Sequence, residues 1–132
     1  MRALARAARV LERASGELSL AHYRVLSAIA AGDARASRIA HRLALGNPTV
    51  SAAVDALCQR ELVRREEVAG DQRAVGLSVS AEGRTLLHRV ESEMVQRLAA
   101  IASRSRDPRR LVESLALLGE AIDAERAGQP SP

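Results

Sequence analysis

The residues whose types could do covalent or metal chemistry are few, and their spacing argues against it. His22, His41 and His88 include no i,i+4 pair, whereas a zinc site needs three or four convergent ligands. Only packing of neighbouring helices would bring His22 and His41 together. Glu66 and Glu67 are adjacent in a strand-like stretch, so their carboxylates point to opposite faces and form no acid–base pair. Cys58 follows Leu57 on the inner side of a helical pattern and is expected as a small buried side chain. A redox role would need exposure and a lowered pKa. No serine has a base and an orienting group spaced to serve it, and no glycine-rich phosphate loop is present. No enzyme, metal or cofactor is expected.

Recognition of an anionic polymer suits residues 37–73 better. Gly46 breaks the chain, Asn47 is placed to cap a helix, and Pro48 suits the first helical position. From there Val50, Ala53, Val54, Leu57 and Cys58 recur on one side, leaving Thr49, Ser51, Ala52, Asp55 and Gln59 on the other. A shorter helix over about 36–44, burying Ile39, Ala40 and Leu43, precedes it through a tight turn containing glycine. The pair reads as a helix-turn-helix.

The hydrophobic period then changes to two. Residues 62–68 and 74–79 flank the turn cluster Ala69-Gly70-Asp71-Gln72, giving a hairpin that carries Arg64, Arg65, Asp71 and Arg73. Such a helix fits the major groove of DNA, and an arginine on an adjacent hairpin reaches the minor groove, where the potential is most negative. Plainer readings stand beside these. Asp71 with Arg73 also reads as a solvated turn ion pair, and Thr49 and Ser51 as capping hydroxyls. Arg38 and Arg42 read equally as a wet helix face. Arg64 and Arg65 are phosphate contacts or strand-edge charges that discourage aggregation.

Further helices flank this segment. Residues 2–15 align Leu4, Ala8, Leu11 and Ala14, and Gly16 stops them. Ser19 caps a helix to about residue 31 with Leu20, Tyr23, Leu26 and Ile29 along a stripe. Ser80 caps a long helix over about 81–104 that carries Leu87, Val90, Met94, Leu98 and Ile101. Asp107-Pro108 breaks it and starts another, striped by Leu111, Leu115, Leu118 and Ile122. The fold class is therefore mainly α with a small β-hairpin.

Composition bounds the rest. At 132 residues, 47% hydrophobic and 27% charged, the chain is one globular domain or one domain with a helical annex. No stretch approaches the roughly 20 uncharged residues of a membrane span. One cysteine excludes an internal disulfide and fits a reducing, cytoplasmic setting. Residues 1–15 are arginine- and alanine-rich like a transit peptide, but they lack the apolar run of a secretory signal and read equally as a first helix. Tyr23 is the one aromatic residue, which argues against a base-stacking platform. The net charge is +4, every basic residue is arginine, and the excess lies in residues 1–73. That points to an anionic partner, although GC-rich coding also favours arginine.

Residues 18–87 resemble the MarR family of bacterial transcription regulators. The likeness rests on Thr49-Val50, Leu57, Glu61-Leu62-Val63, Asp71-Gln72-Arg73 and Ser80-Ala81-Glu82-Gly83, held in spacing over about 35 residues, and on the upstream run 18–26. The resemblance implies a winged helix-turn-helix with flanking dimerisation helices. Residues 1–17 would form an N-terminal dimerisation helix, 18–80 the DNA-binding domain, 81–127 the C-terminal dimerisation helices and 128–132 a loose tail.

It further implies that Arg73 enters the minor groove, oriented by Asp71. Asn47, Pro48, Thr49, Ser51 and Ala52 would line the groove side of the recognition helix, with Ser37 and Arg38 near the backbone. The partners implied are double-stranded DNA with a pseudo-palindromic operator, a second copy of the chain, and a small lipophilic or phenolic effector. The expected role is a repressor relieved by that effector. The family often has arginine where this chain has Ala52, so less direct readout of guanine is expected here. The alternative is a helical protein–protein interaction module with a degenerate winged-helix domain that no longer binds DNA.

Overall fold

Local signals in the chain account for most of the element boundaries. The computed structural model describes residues 1–67 and 75–128. Their order is α1 (Arg2–Ala14), α2 (Leu20–Ala30), α3 (Ala36–Leu43), α4 (Asn47–Gln59), β1 (Val63–Glu67), β2 (Val75–Val79), α5 (Ala81–Ala102) and α6 (Pro108–Ala127). Ser19 caps α2 by accepting from the His22 amide at 3.1 Å. Ser80 caps α5, accepting from the Gly83 amide at 3.0 Å. Pro108 opens α6, where its missing N–H costs nothing. Six helices and a two-stranded antiparallel sheet make the expected class, mainly α with a β-hairpin.

The turn between α3 and α4 departs from the expectation in detail. Ala44, at φ 51° and ψ 44°, is its left-handed residue, and the Leu45 amide closes the end of α3 onto the Ala40 carbonyl at 3.0 Å. Gly46 is extended and caps α4 by backbone position alone, while Asn47 lies inside the helix and makes no side-chain cap. The expected Asn47 cap is thus corrected: Gly46 already supplies the carbonyl that accepts from the Val50 amide. Glu61 repeats the left-handed ending at the other end of α4 (φ 59°), with the Leu62 amide on the Leu57 carbonyl at 3.0 Å. Both closures have the bond pattern of a Schellman motif, made here without glycine.

The described chain divides into two compact units, Met1–Met94 and Val95–Pro132. The core of the first is built from α2, α3, α4, the hairpin and the first half of α5. Leu18, Val25, Leu26, Ile39, Val50, Leu57 and Val90 are buried at its centre. Burying each such side chain contributes roughly 1.5–3 kcal/mol. In α2 the inward face centres on Val25, Leu26, Ala28 and Ile29, while Leu20 and Tyr23, expected in the stripe, are only half-buried. This helix meets α3, α4 and β2, so it buries a broader face than one stripe. Cys58, expected inside, is also only half-buried.

In the hairpin, Val63 pairs with Val79 and Arg65 with Leu77. Leu77 also donates its amide to the Ala34 carbonyl at 2.8 Å, tying β2 to the segment before α3. In the second unit α6 exposes Val112, Leu115, Leu117, Leu118 and Ile122, the last two 43% and 40% accessible. No helix among the described residues is long and apolar enough to cross a membrane.

Candidate nucleic-acid interface

Helical period sorts α4 into two faces. Val50, Ala53, Val54 and Leu57 are buried, which anchors the helix in the core. Asn47, Pro48, Thr49, Ser51, Ala52, Asp55 and Gln59 are all exposed. A protruding helix with a bare, small-residue face has the shape that a major groove accepts. Ser37 and Arg38 are exposed on the first turn of α3, whose Ile39 and Ala40 are buried. The structure therefore brings Ser37, Arg38, Asn47, Pro48, Thr49, Ser51 and Ala52 onto the outside of one helix-turn-helix. Asp71 and Arg73 lie outside the described residues.

Electrostatics at the two helix starts favour an anion. Neither α3 nor α4 has a side-chain cap or an acidic residue in its first turn. Their leading amides and the positive ends of their dipoles are left open. Of the cations nearby, Arg42 is held by Asp33 at 2.6 Å, and Arg24 donates to the Leu43 carbonyl at 2.7 Å. Arg38 has no side-chain partner among the described residues.

Sequence reading placed Asp55 on the outer face of α4 but missed its partner. Arg65 of β1 donates to the Asp55 carboxylate across the surface. That hydrogen bond, chiefly, holds the guanidinium above its ordinary pKa. Arg65 also borders a small cavity of about 100 Å³ lined by Ala36, Ser51, Val54 and Leu77. Arg64 lies elsewhere, beside Cys58, Glu61, Val63 and Glu82 around a hollow of about 260 Å³. No periodicity in the sequence couples a strand arginine to a helix aspartate ten residues earlier.

A third cleft, of about 410 Å³, lies against the first turns of α5. Glu17, Arg60, Leu62, Glu82, Leu86 and Arg89 line most of it. Glu17 binds Arg89 at 2.7 Å, and its carbonyl accepts from Arg60 at 3.0 Å. Among the described residues no three histidine, cysteine or carboxylate groups gather as metal ligands.

A helix-turn-helix followed by a two-stranded wing, with the outer face of its second helix uncovered, defines the winged helix-turn-helix class. A model of the MarR family matches residues 17–74. That segment of the chain is thus similar to the MarR family of transcription regulators.

Solved structures of similar fold are known. The transcriptional repressor CouR, bound to a 23-mer DNA duplex, superposes with a TM-score of 0.79 at 24% identity, covering 92% of this chain and 87% of that one. The regulator PcaV from Streptomyces coelicolor, in complex with its natural ligand, gives a TM-score of 0.72 at 21% identity, covering 94% and 89%. Staphylococcus aureus MarR, in complex with salicylate and kanamycin, gives 0.73 at 18% identity, covering 97% and 85%. At these identities the likeness is one of fold. No curated protein matches the chain.

Proposed function

We propose that this protein is a sequence-specific double-stranded DNA-binding transcription regulator that acts as a homodimer, a repressor relieved by a small-molecule effector. The observation that carries the reading is the uncovered outer face of α4, from Asn47 to Asp55, beside the open start of α3. CouR, a repressor of the same fold, is bound to a duplex, and this supports the same use of the face here. In a dimer the two α4 helices would sit about 34 Å apart in successive major grooves of a pseudo-palindrome.

Arg73, from the wing tip, would reach the minor groove, and Asp71 would orient it. The exposed apolar residues of α6, with α1 and the end of α5, would form the dimer interface. The ligand complexes of PcaV and of the staphylococcal MarR support a small effector, lipophilic or phenolic in character. Such an effector relieves repression only if it binds one spacing of the two reading heads more tightly than the other.

Gel retardation of the duplex upstream of the protein's own gene tests the reading. Binding should weaken steeply with salt. Arg73→Ala should reduce it by a large factor without altering the oligomer. A protein that retards no duplex at low salt would instead be a helical interaction module built on a winged-helix remnant.

A further inference from the structure

The helix that this fold offers to a polyanion carries one charged side chain, and that side chain is negative. Residues 47–59 contain no arginine. Asp55 stands on the bare face one turn beyond Ser51. Left alone, its carboxylate would repel a phosphate backbone.

Arg65 removes that conflict. Its strand partner Leu77 is buried against the core, so alternation along β1 turns Arg65 toward α4 and sends Glu66 to the other face, where it accepts from Ser78 Oγ at 2.7 Å. The guanidinium then meets Asp55 and borders the cavity beside Ser51 and Ala36. It thus stands between the start of α3 and the outer side of α4. A guanidinium has five N–H donors. Asp55 takes one through Nη2, and the side chain remains 49% exposed.

We propose, on the basis of the DNA-binding reading above, that Arg65 is a DNA-contacting residue and Asp55 its positioning residue. The pair cancels the charge of α4 and suspends a guanidinium beside Ser51, near the place where the helix itself supplies only Ala52. The other N–H groups of Arg65, which have no partner among the described residues, meet a phosphate or a guanine edge there. Because Asp55 fixes the fork, the contact depends on duplex geometry instead of following any nearby phosphate.

The test uses the full-length wild type, Arg65→Ala, Arg65→Lys and Asp55→Asn, with circular dichroism confirming the fold of each. Anisotropy titrations over a salt series compare a random-sequence duplex pool with the duplex that the wild type selects from it. Arg65→Ala should weaken binding to the selected duplex about tenfold or more and lower the salt slope by about one. Arg65→Lys should restore the slope but not the preference for the selected duplex, because an ammonium lacks the planar fork. Asp55→Asn should bind random duplex at least as tightly as wild type and lose discrimination.

Wild-type affinity and slope in Arg65→Ala would overturn the contact, and full discrimination in Asp55→Asn would overturn the positioning role. Wild-type protein that binds no duplex overturns the DNA reading together with this inference. Wild-type binding that Arg65→Ala leaves untouched overturns the inference alone.

Discussion

Gly83 passes so close to the Leu62 carbonyl that a β-carbon on it would lie far inside van der Waals contact distance of that oxygen and 2.8 Å from Val79 Cγ1. The carbonyl has no room to retreat, since it already accepts from the Ser80 amide at 3.0 Å. Ser80 adds a second clamp: its hydroxyl donates to the Glu61 carbonyl at 2.6 Å and accepts from the Gly83 amide. The first turn of α5 is thereby riveted to the base of the wing. This explains physically why serine and glycine stand three residues apart there.

Gly83→Ala should therefore destabilise the protein. Alanine gains about 1 kcal/mol of helix propensity over glycine, but a clash with fixed backbone costs about 1–3 kcal/mol or somewhat more. The clash should win, with a net loss of about 1–2 kcal/mol. Urea unfolding followed by far-UV circular dichroism measures it, and an unchanged midpoint would show that α5 slides off the wing without penalty.

Ala44 and Glu61 invite the opposite substitution. Both hold positive φ at the ends of α3 and α4, where a side chain costs roughly 1 kcal/mol that glycine does not. Ala44→Gly and Glu61→Gly should each match or raise the stability of the wild type, by up to about 1 kcal/mol. Equilibrium denaturation settles the sign; a loss at both positions would contradict the left-handed geometry.

Tyr23 sets an alkaline limit. Burial first, and then the Glu91 carboxylate 3.4 Å away, raise its pKa above the ordinary 10.0. Because the folded value lies above the unfolded one, the neutral phenol's contribution is complete below about pH 10 and is lost as pH rises through the folded value. The chain has no lysine and no second tyrosine to mask this titration. Thermal melts of wild type and Tyr23→Phe should therefore diverge above about pH 10, the wild type falling further. Parallel curves would show Tyr23 to be equally solvated in both states.

The leucines of α6 bear on assembly. Leu115 is 46% exposed and Leu117 64% in the single chain, and an uncovered apolar surface of this kind marks an interaction site. If the chain dimerises as proposed, Leu115→Asp should shift sedimentation velocity profiles from dimer to monomer, with duplex affinity falling as the second reading head is lost. A persistent dimer would place the interface elsewhere.

Local chemistry explains what was legible beforehand. The caps Ser19 and Ser80, the breakers Gly16 and Pro108, and the 3.6-residue alternation of Val50, Ala53, Val54 and Leu57 each act within a turn or two of chain. The helices and the outward set Thr49, Ser51 and Ala52 followed from them. The misplaced details have two causes: Asn47 lost the cap to the adjacent Gly46, whereas Cys58 came half out and Leu20 stayed partly wet because the neighbours that decide burial are distant in sequence.

Pattern alone thus determined that this chain would form a helix-turn-helix with a wing and which side of α4 would be polar. Tertiary structure alone decided that Arg65, and not Arg64, would cross to Asp55, and that Gly83 would rest against Leu62. Periodicity reports how a segment faces its own core, whereas ion pairs and close approaches depend on how separate segments are set against one another.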